Sequence, residues 1–205
     1  MNNIGGVWRT VGGRRIFIKE GQDLSSAMKE SGKFKKNNGL GANNENITIP
    51  KHPKPKYLEK LNDLTENNII ETLKKYESKI INAENENAIV ILSDGSVYQC
   101  FGIKNAVFPD YDLGEVIKNS YITHNHPIDE TYFGFSSKDN NLFKKYELKV
   151  LRGIDEKYTY EYNRNKSCNT SMPTISDEEL GYEHIMSIQF SIDNNIYYKR
   201  WKNDW

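Results

Sequence analysis

The sequence lacks most of the features that sort a protein quickly. No stretch approaches the ~18 apolar residues of a membrane-spanning helix. The first residues contain no apolar core of a secretory signal. Neither sign of charge is in excess: 28 Lys+Arg stand against 28 Asp+Glu. That balance excludes a generally basic nucleic-acid binder and a generally acidic solvating tail. Cysteine is scarce. Cys100 and Cys168 are the two present, and they form no Cys-x-x-Cys. They make neither a zinc knuckle nor a disulfide framework, and read as ordinary thiols in a reducing compartment. These absences predict a soluble, cytoplasmic protein.

What is present is aromatic and Asn-rich. The chain carries 13 Tyr, 8 Phe and 3 Trp, so a lean apolar fraction of 37% still offers large burial per residue. Its 205 residues are enough for one core without disulfide staples. The 24 Asn add loop character.

Along the chain, Val7 to Ile18 reads as a hairpin turning at Gly12-Gly13. Asp23 is placed to cap a short helix ending near Glu30. Residues 33–56, rich in Asn, Lys and Pro, read as a linker. A helix is predicted from Glu66 to Lys79, with Asp63 at the spacing of a capping box. The unbroken apolar run Ala88 to Leu92 predicts a strand buried on both faces. Asp94-Gly95 then turns it into a partner strand, Val97 to Phe101. A short strand follows at Tyr121 to Thr123, a helix at Ser137 to Tyr146, and strands at Leu148 to Leu151 and Tyr158 to Tyr162. Ser176 is placed to cap a last helix, Asp177 to about Phe190. Trp201 and Trp205 are expected to pack the tail onto the domain. The order of elements predicts a mixed α/β (α+β) layer fold. The division is a hairpin-helix segment over 1–32, a linker over 33–56, and a main domain over 57–205 with a C-terminal helical extension.

The tract Thr123 to Asp139, THNHPIDETYFGFSSKD, carries the chemistry. His124 and His126 stand two apart at a strand end, so both side chains can point to one side. Pro127 stops the strand. Asp139 falls in the first turn of the next helix, where a carboxylate is favoured. Two imidazoles and a carboxylate, with a fourth position left for water, form the ligand set of a catalytic zinc site. Zinc lowers the pKa of its water from about 15.7 to roughly 7, and a nearby carboxylate must take the proton. Ser136 can offer its hydroxyl to a developing oxyanion. The adjacent His-Asn-His is not the HNH nuclease motif, which spreads its residues over a ββα finger. No basic cleft signature accompanies it, so nucleic acid is not an expected partner.

His124-x-His126-Pro127 followed by Ser136-x-x-Asp139 resembles the JAMM motif of the JAB/MPN metallohydrolase superfamily, including the HNHP tract of RadC-like proteins. The resemblance covers roughly residues 80–165. It implies a cytidine-deaminase-like mixed sheet flanked by helices. It also implies His124, His126 and Asp139 as zinc ligands, Glu86 as general base and acid with Glu84 as competitor, and Ser136 as oxyanion stabiliser. The loop Ile128 to Phe135 is longer than the family pattern, a difference that costs little in closure entropy. The N-terminal tract GGVWRTVGGRRIFIKEGQDLSSAM resembles a segment of phage head-associated proteins, which implies a phage or prophage origin and a phage-head or host protein as partner.

The function expected is a zinc-dependent hydrolase of amide bonds, of peptidase or isopeptidase type, acting on a protein or peptide in the host cytoplasm or on the virion. The alternative is a non-catalytic phage-associated interaction module that keeps the fold and docks through its N-terminal hairpin.

Overall fold

The computed structural model describes residues 6–11, 14–19, 49–127, 134–168, 170–171 and 182–203. β1 (Gly6–Val11) and β2 (Arg14–Lys19) pair antiparallel, with Trp8 opposite Phe17, as the apolar runs on either side of Gly12-Gly13 predict. The helix expected at Asp23 to Glu30, most of the linker, the start of the last helix and Trp205 lie outside the described residues.

The main body is one seven-stranded sheet. Its strands are β3 (Lys56–Lys60), β4 (Asn87–Ile91), β5 (Ser96–Phe101), β6 (Tyr121–Asn125), β7 (Val150–Ile154), β8 (Tyr158–Asn163) and β9 (Tyr197–Lys202), in the order β3-β5-β4-β6-β7-β8-β9. Every neighbouring pair is antiparallel except β6 and β7. A parallel pair needs a crossover, and α3 (Ser137–Lys145) supplies it. The other helices are α1 (Glu66–Ile80), the short α2 (Pro109–Leu113) with a following 3-10 turn, and α4 (Tyr182–Asn194). The chain is therefore a mixed α/β protein, as its order of elements predicts. Among the described residues no helix is long and apolar enough to cross a membrane.

Alternation along the central strands divides the side chains between two cores. Ile89 and Ile91 of β4 meet Ile69, Leu73, Tyr76 and Ile80 of α1 on one face. Ala88 and Val90 meet Phe143 of α3, Ile188 of α4 and the tyrosines of β8 on the other. The β4–β5 turn uses Gly95 at φ +89°, a conformation that favours glycine, and Asp94 Oδ1 accepts from the Ser96 N–H at 2.9 Å.

Three local expectations are corrected. Asp63 does not cap α1; Thr65 is its N-cap, and Asp63 instead folds a turn by accepting from the Thr65 N–H and hydroxyl, both at 2.9 Å. Tight local bonding of this kind competes with capping for the same carboxylate. The C-terminal segment after α4 is an edge strand, β9, beside β8. Its Lys199, Arg200 and Lys202 hide a strand period while guarding an edge. β3 forms the opposite edge, a strand the sequence reading did not predict, and only its first residue, Lys56, falls in the tract read as linker.

Candidate metal centre

β6 delivers the histidines. Its alternation turns Ile122 and His124 toward the α3/α4 core, and Tyr121 and Thr123 toward α1. His126 lies one residue beyond the strand. Its N–H donates to Ile154 O at 2.7 Å, which continues the β6–β7 pairing. The two rings come together with centroids 4.9 Å apart, and both side chains are buried.

α3 delivers the carboxylate through its own cap. Ser136 is the N-cap, and its Oγ accepts from the Asp139 N–H at 3.3 Å. Asp139 Oδ2 in return accepts from the Ser136 N–H at 2.8 Å and from the Ser136 hydroxyl at 2.6 Å. This capping box occupies one carboxylate oxygen and presents the other, Oδ1, to His124 Nε2 at 3.4 Å. A helix start thus fixes a carboxylate beside the two histidines.

The charges suit a cation. Burial drives the His126 pKa down to about 3, with His124 adding to the fall and Asp139 opposing it. The ring is neutral at pH 7, as a metal ligand must be. For Asp139, burial alone would raise the pKa. His124, His126 and the two Ser136 hydrogen bonds outweigh burial and hold the carboxyl below its usual range.

The donor spacing also fits. Donors at the roughly 2.0–2.1 Å of zinc–nitrogen bonds in a tetrahedron stand about 3.3 Å apart. His124 Nε2 and His126 Nε2 are 3.0 Å apart, and His124 Nε2 and Asp139 Oδ1 are 3.4 Å apart. One donor atom from each of the three residues falls within 4.8 Å of the others. A strand end and a helix start therefore gather three potential donor atoms within 4.8 Å of one another.

Glu86 precedes β4. The β4–β6 pairing ends with Ala88 opposite His124, and the Asn87 N–H donates to Asn125 Oδ1 at 2.7 Å, so Glu86 lies just beyond the paired stretch, towards the end of β6 that carries the histidines. Glu86 is buried, whereas its competitor Glu84 is exposed. The Glu86 backbone is pinned by Glu86 N–H to Ile103 O at 3.0 Å and Gly102 N–H to Glu86 O at 2.8 Å. Ser136 sits at the site, with its hydroxyl proton engaged by Asp139.

Sequence reading missed Tyr160, whose hydroxyl hydrogen-bonds His126 Nδ1. The alternation Tyr158, Tyr160, Tyr162 signals an aromatic face on β8, but nothing in it names a histidine partner. Compared with protein-family models, with curated proteins and with solved structures, the chain matches none.

Proposed function

We propose that the chain is a zinc-dependent hydrolase of amide bonds, of peptidase or isopeptidase type, with a JAB/MPN-like domain. The observation that carries this reading is the convergence of His124, His126 and Asp139 at donor spacings suited to zinc. Zinc, when bound, supplies Lewis acidity toward a scissile carbonyl and brings the pKa of water down toward about 7. Glu86 accepts a proton from the attacking water and returns it to the leaving amine. Ser136 holds Asp139 in place; to stabilise an oxyanion as well, its hydroxyl must first leave Asp139 Oδ2. The substrate is a protein or peptide. The phage-like N-terminal tract bears on the partner, a phage-head or host protein, and not on the chemistry.

The test pairs metal analysis with turnover. The purified protein is expected to hold one zinc per chain, released by chelator and absent from His126→Ala. A peptide and isopeptide library read by mass spectrometry should show cleavage that Glu86→Gln lowers by about 10² or more while keeping its zinc. A wild-type protein that binds no zinc overturns the reading. A zinc protein that cleaves no more than Glu86→Gln leaves a metal-binding module.

A further inference from the structure

Tyr160 is fully buried, and a buried phenol needs a hydrogen-bond partner. Its partner is the ring nitrogen of His126 that faces away from the metal donors. We propose that Tyr160 is the positioning residue of His126, fixing the ring so that Nδ1 carries the proton and Nε2 faces the metal, and that Gly153 exists to let it do so. The proposal rests on the metal-site reading above.

The sheet register shows how. His124 pairs with Gly153 on β7, and Gly153 pairs with Tyr160 on β8. Tyr160 thus stands two strands away from the histidines and must reach across the strand between. A Cβ on Gly153 would overlap Cε2 of the Tyr160 ring, so the ring lies over the space where a side chain would stand. Phe135 packs edge-on to that ring with centroids 4.9 Å apart, and closes it in from the α3 side. The phenol is therefore held by Gly153 on one side and Phe135 on another, with its oxygen at His126.

The hydrogen-bond logic sets the tautomer. A histidine that ligates through Nε2 keeps its proton on Nδ1 and donates it. The Tyr160 oxygen is the acceptor in place for that proton. Removing such an outer partner lowers metal affinity by about 10–100-fold in metal sites generally.

A second tyrosine–histidine pair, part-buried, provides the control. Tyr198 hydroxyl lies 2.7 Å from His184 Nδ1, and His184 is not among the metal-site residues. Tyr160→Phe and Tyr198→Phe each delete one phenol oxygen bonded to a histidine. We expect Tyr160→Phe to weaken zinc binding about 10–100-fold, read by competition with a chromophoric chelator, and to alter the visible spectrum of the cobalt(II)-substituted protein. Tyr198→Phe should leave both unchanged. Should Tyr160→Phe fail to fold, histidine 15N NMR of the zinc-loaded wild type decides the matter. Nδ1 of His126 protonated and Nε2 coordinated supports the proposal; Nδ1 coordinated overturns it. Unchanged affinity and spectrum in Tyr160→Phe also overturn it, and leave Tyr160 as packing. A wild type that binds neither zinc nor cobalt defeats the metal reading itself, and this proposal falls with it.

Discussion

The same central strands carry a buried polar cluster on each face, and the two clusters are built on opposite terms. On the α1 face, Arg152 of β7 lies 3.1 Å from Glu77 and 3.9 Å from Glu161. Thr123 donates to Glu77 at 2.8 Å, Asn163 donates to Glu161 at 3.1 Å, and Lys166 lies 3.9 Å from Glu161. Two carboxylates meet two cations. Burial raises the Glu77 pKa, with Arg152 and the Thr123 hydrogen bond opposing it. On the α3/α4 face, His124, His126 and Asp139 bring lone pairs and one negative charge, and no cation of their own. Thr123 and His124 are neighbours on β6, yet alternation sends them to clusters of different charge. A buried cluster that contains its own counter-ions is a structural element. One that gathers two imidazoles and a carboxylate offers donor atoms instead.

The largest expected effect tests the self-neutralised side. Arg152→Ala strips Glu77 and Glu161 of their buried partner. Breaking such a pair costs about 3–5 kcal/mol, which denaturant unfolding would register. Trp201 also loses the guanidinium 5.4 Å from its ring centroid. Zinc affinity of the remaining folded protein should stay at the wild-type value, because Arg152 points away from the histidines. A loss under 1 kcal/mol would mean that the cluster is not held by its charges. A loss of zinc affinity would mean that the faces are coupled.

A smaller effect sharpens the metal side. Ser136→Ala removes the hydroxyl that both caps α3 and holds Asp139 Oδ2. The cap is worth about 1 kcal/mol. If the capping box also mounts a ligand, zinc affinity should fall along with stability, since Oδ1 then loses its fixed aim at His124. Calorimetric zinc titration beside thermal melting distinguishes the two. Lost stability with unchanged zinc affinity would reduce Ser136 to a cap.

These contrasts also explain what the sequence made legible. The clustering of His124, His126 and Asp139 was legible because strand alternation and helix capping are local rules, and each residue obeys one of them. The buried β4 and the Asp94-Gly95 turn are local in the same way. Tyr160, Gly153 and Arg152 could not be found, because their roles depend on which strands lie side by side. No spacing within β8 foretells that its phenol crosses β7 to reach β6. β9 was hidden for a further reason: an edge strand studded with Lys and Arg is shaped by avoidance of partners rather than by burial. Asp63 misled because a carboxylate three residues ahead of a Glu satisfies the capping pattern while its oxygens fold a turn instead.

The smallest expected effect concerns a third charged pair, away from both clusters. His52 lies in the segment that enters β3, and its ring is clamped between two acceptors. Nδ1 is 2.7 Å from Pro50 O, and Nε2 is 2.9 Å from Asp112 Oδ1 on α2. A carbonyl and a carboxylate can only accept, so both ring nitrogens donate and the imidazole carries its proton. The Pro50 hydrogen bond is the largest cause of a pKa raised above the usual 6.5, and the Asp112 hydrogen bond comes next. Lys51, Lys54 and Tyr111 line the same shallow groove, and Phe108 packs at 5.4 Å from the imidazole centroid. Because the folded pKa is raised, the clamp contributes fully below about pH 6.5 and is lost as pH rises through the folded value. Wild-type stability should therefore fall relative to His52→Gln between pH 6 and the upper end of that window, measured by denaturant unfolding at matched ionic strength. The Arg152 guanidinium on the other face does not itself titrate there. Parallel curves for wild type and His52→Gln would show that the clamp contributes nothing to stability.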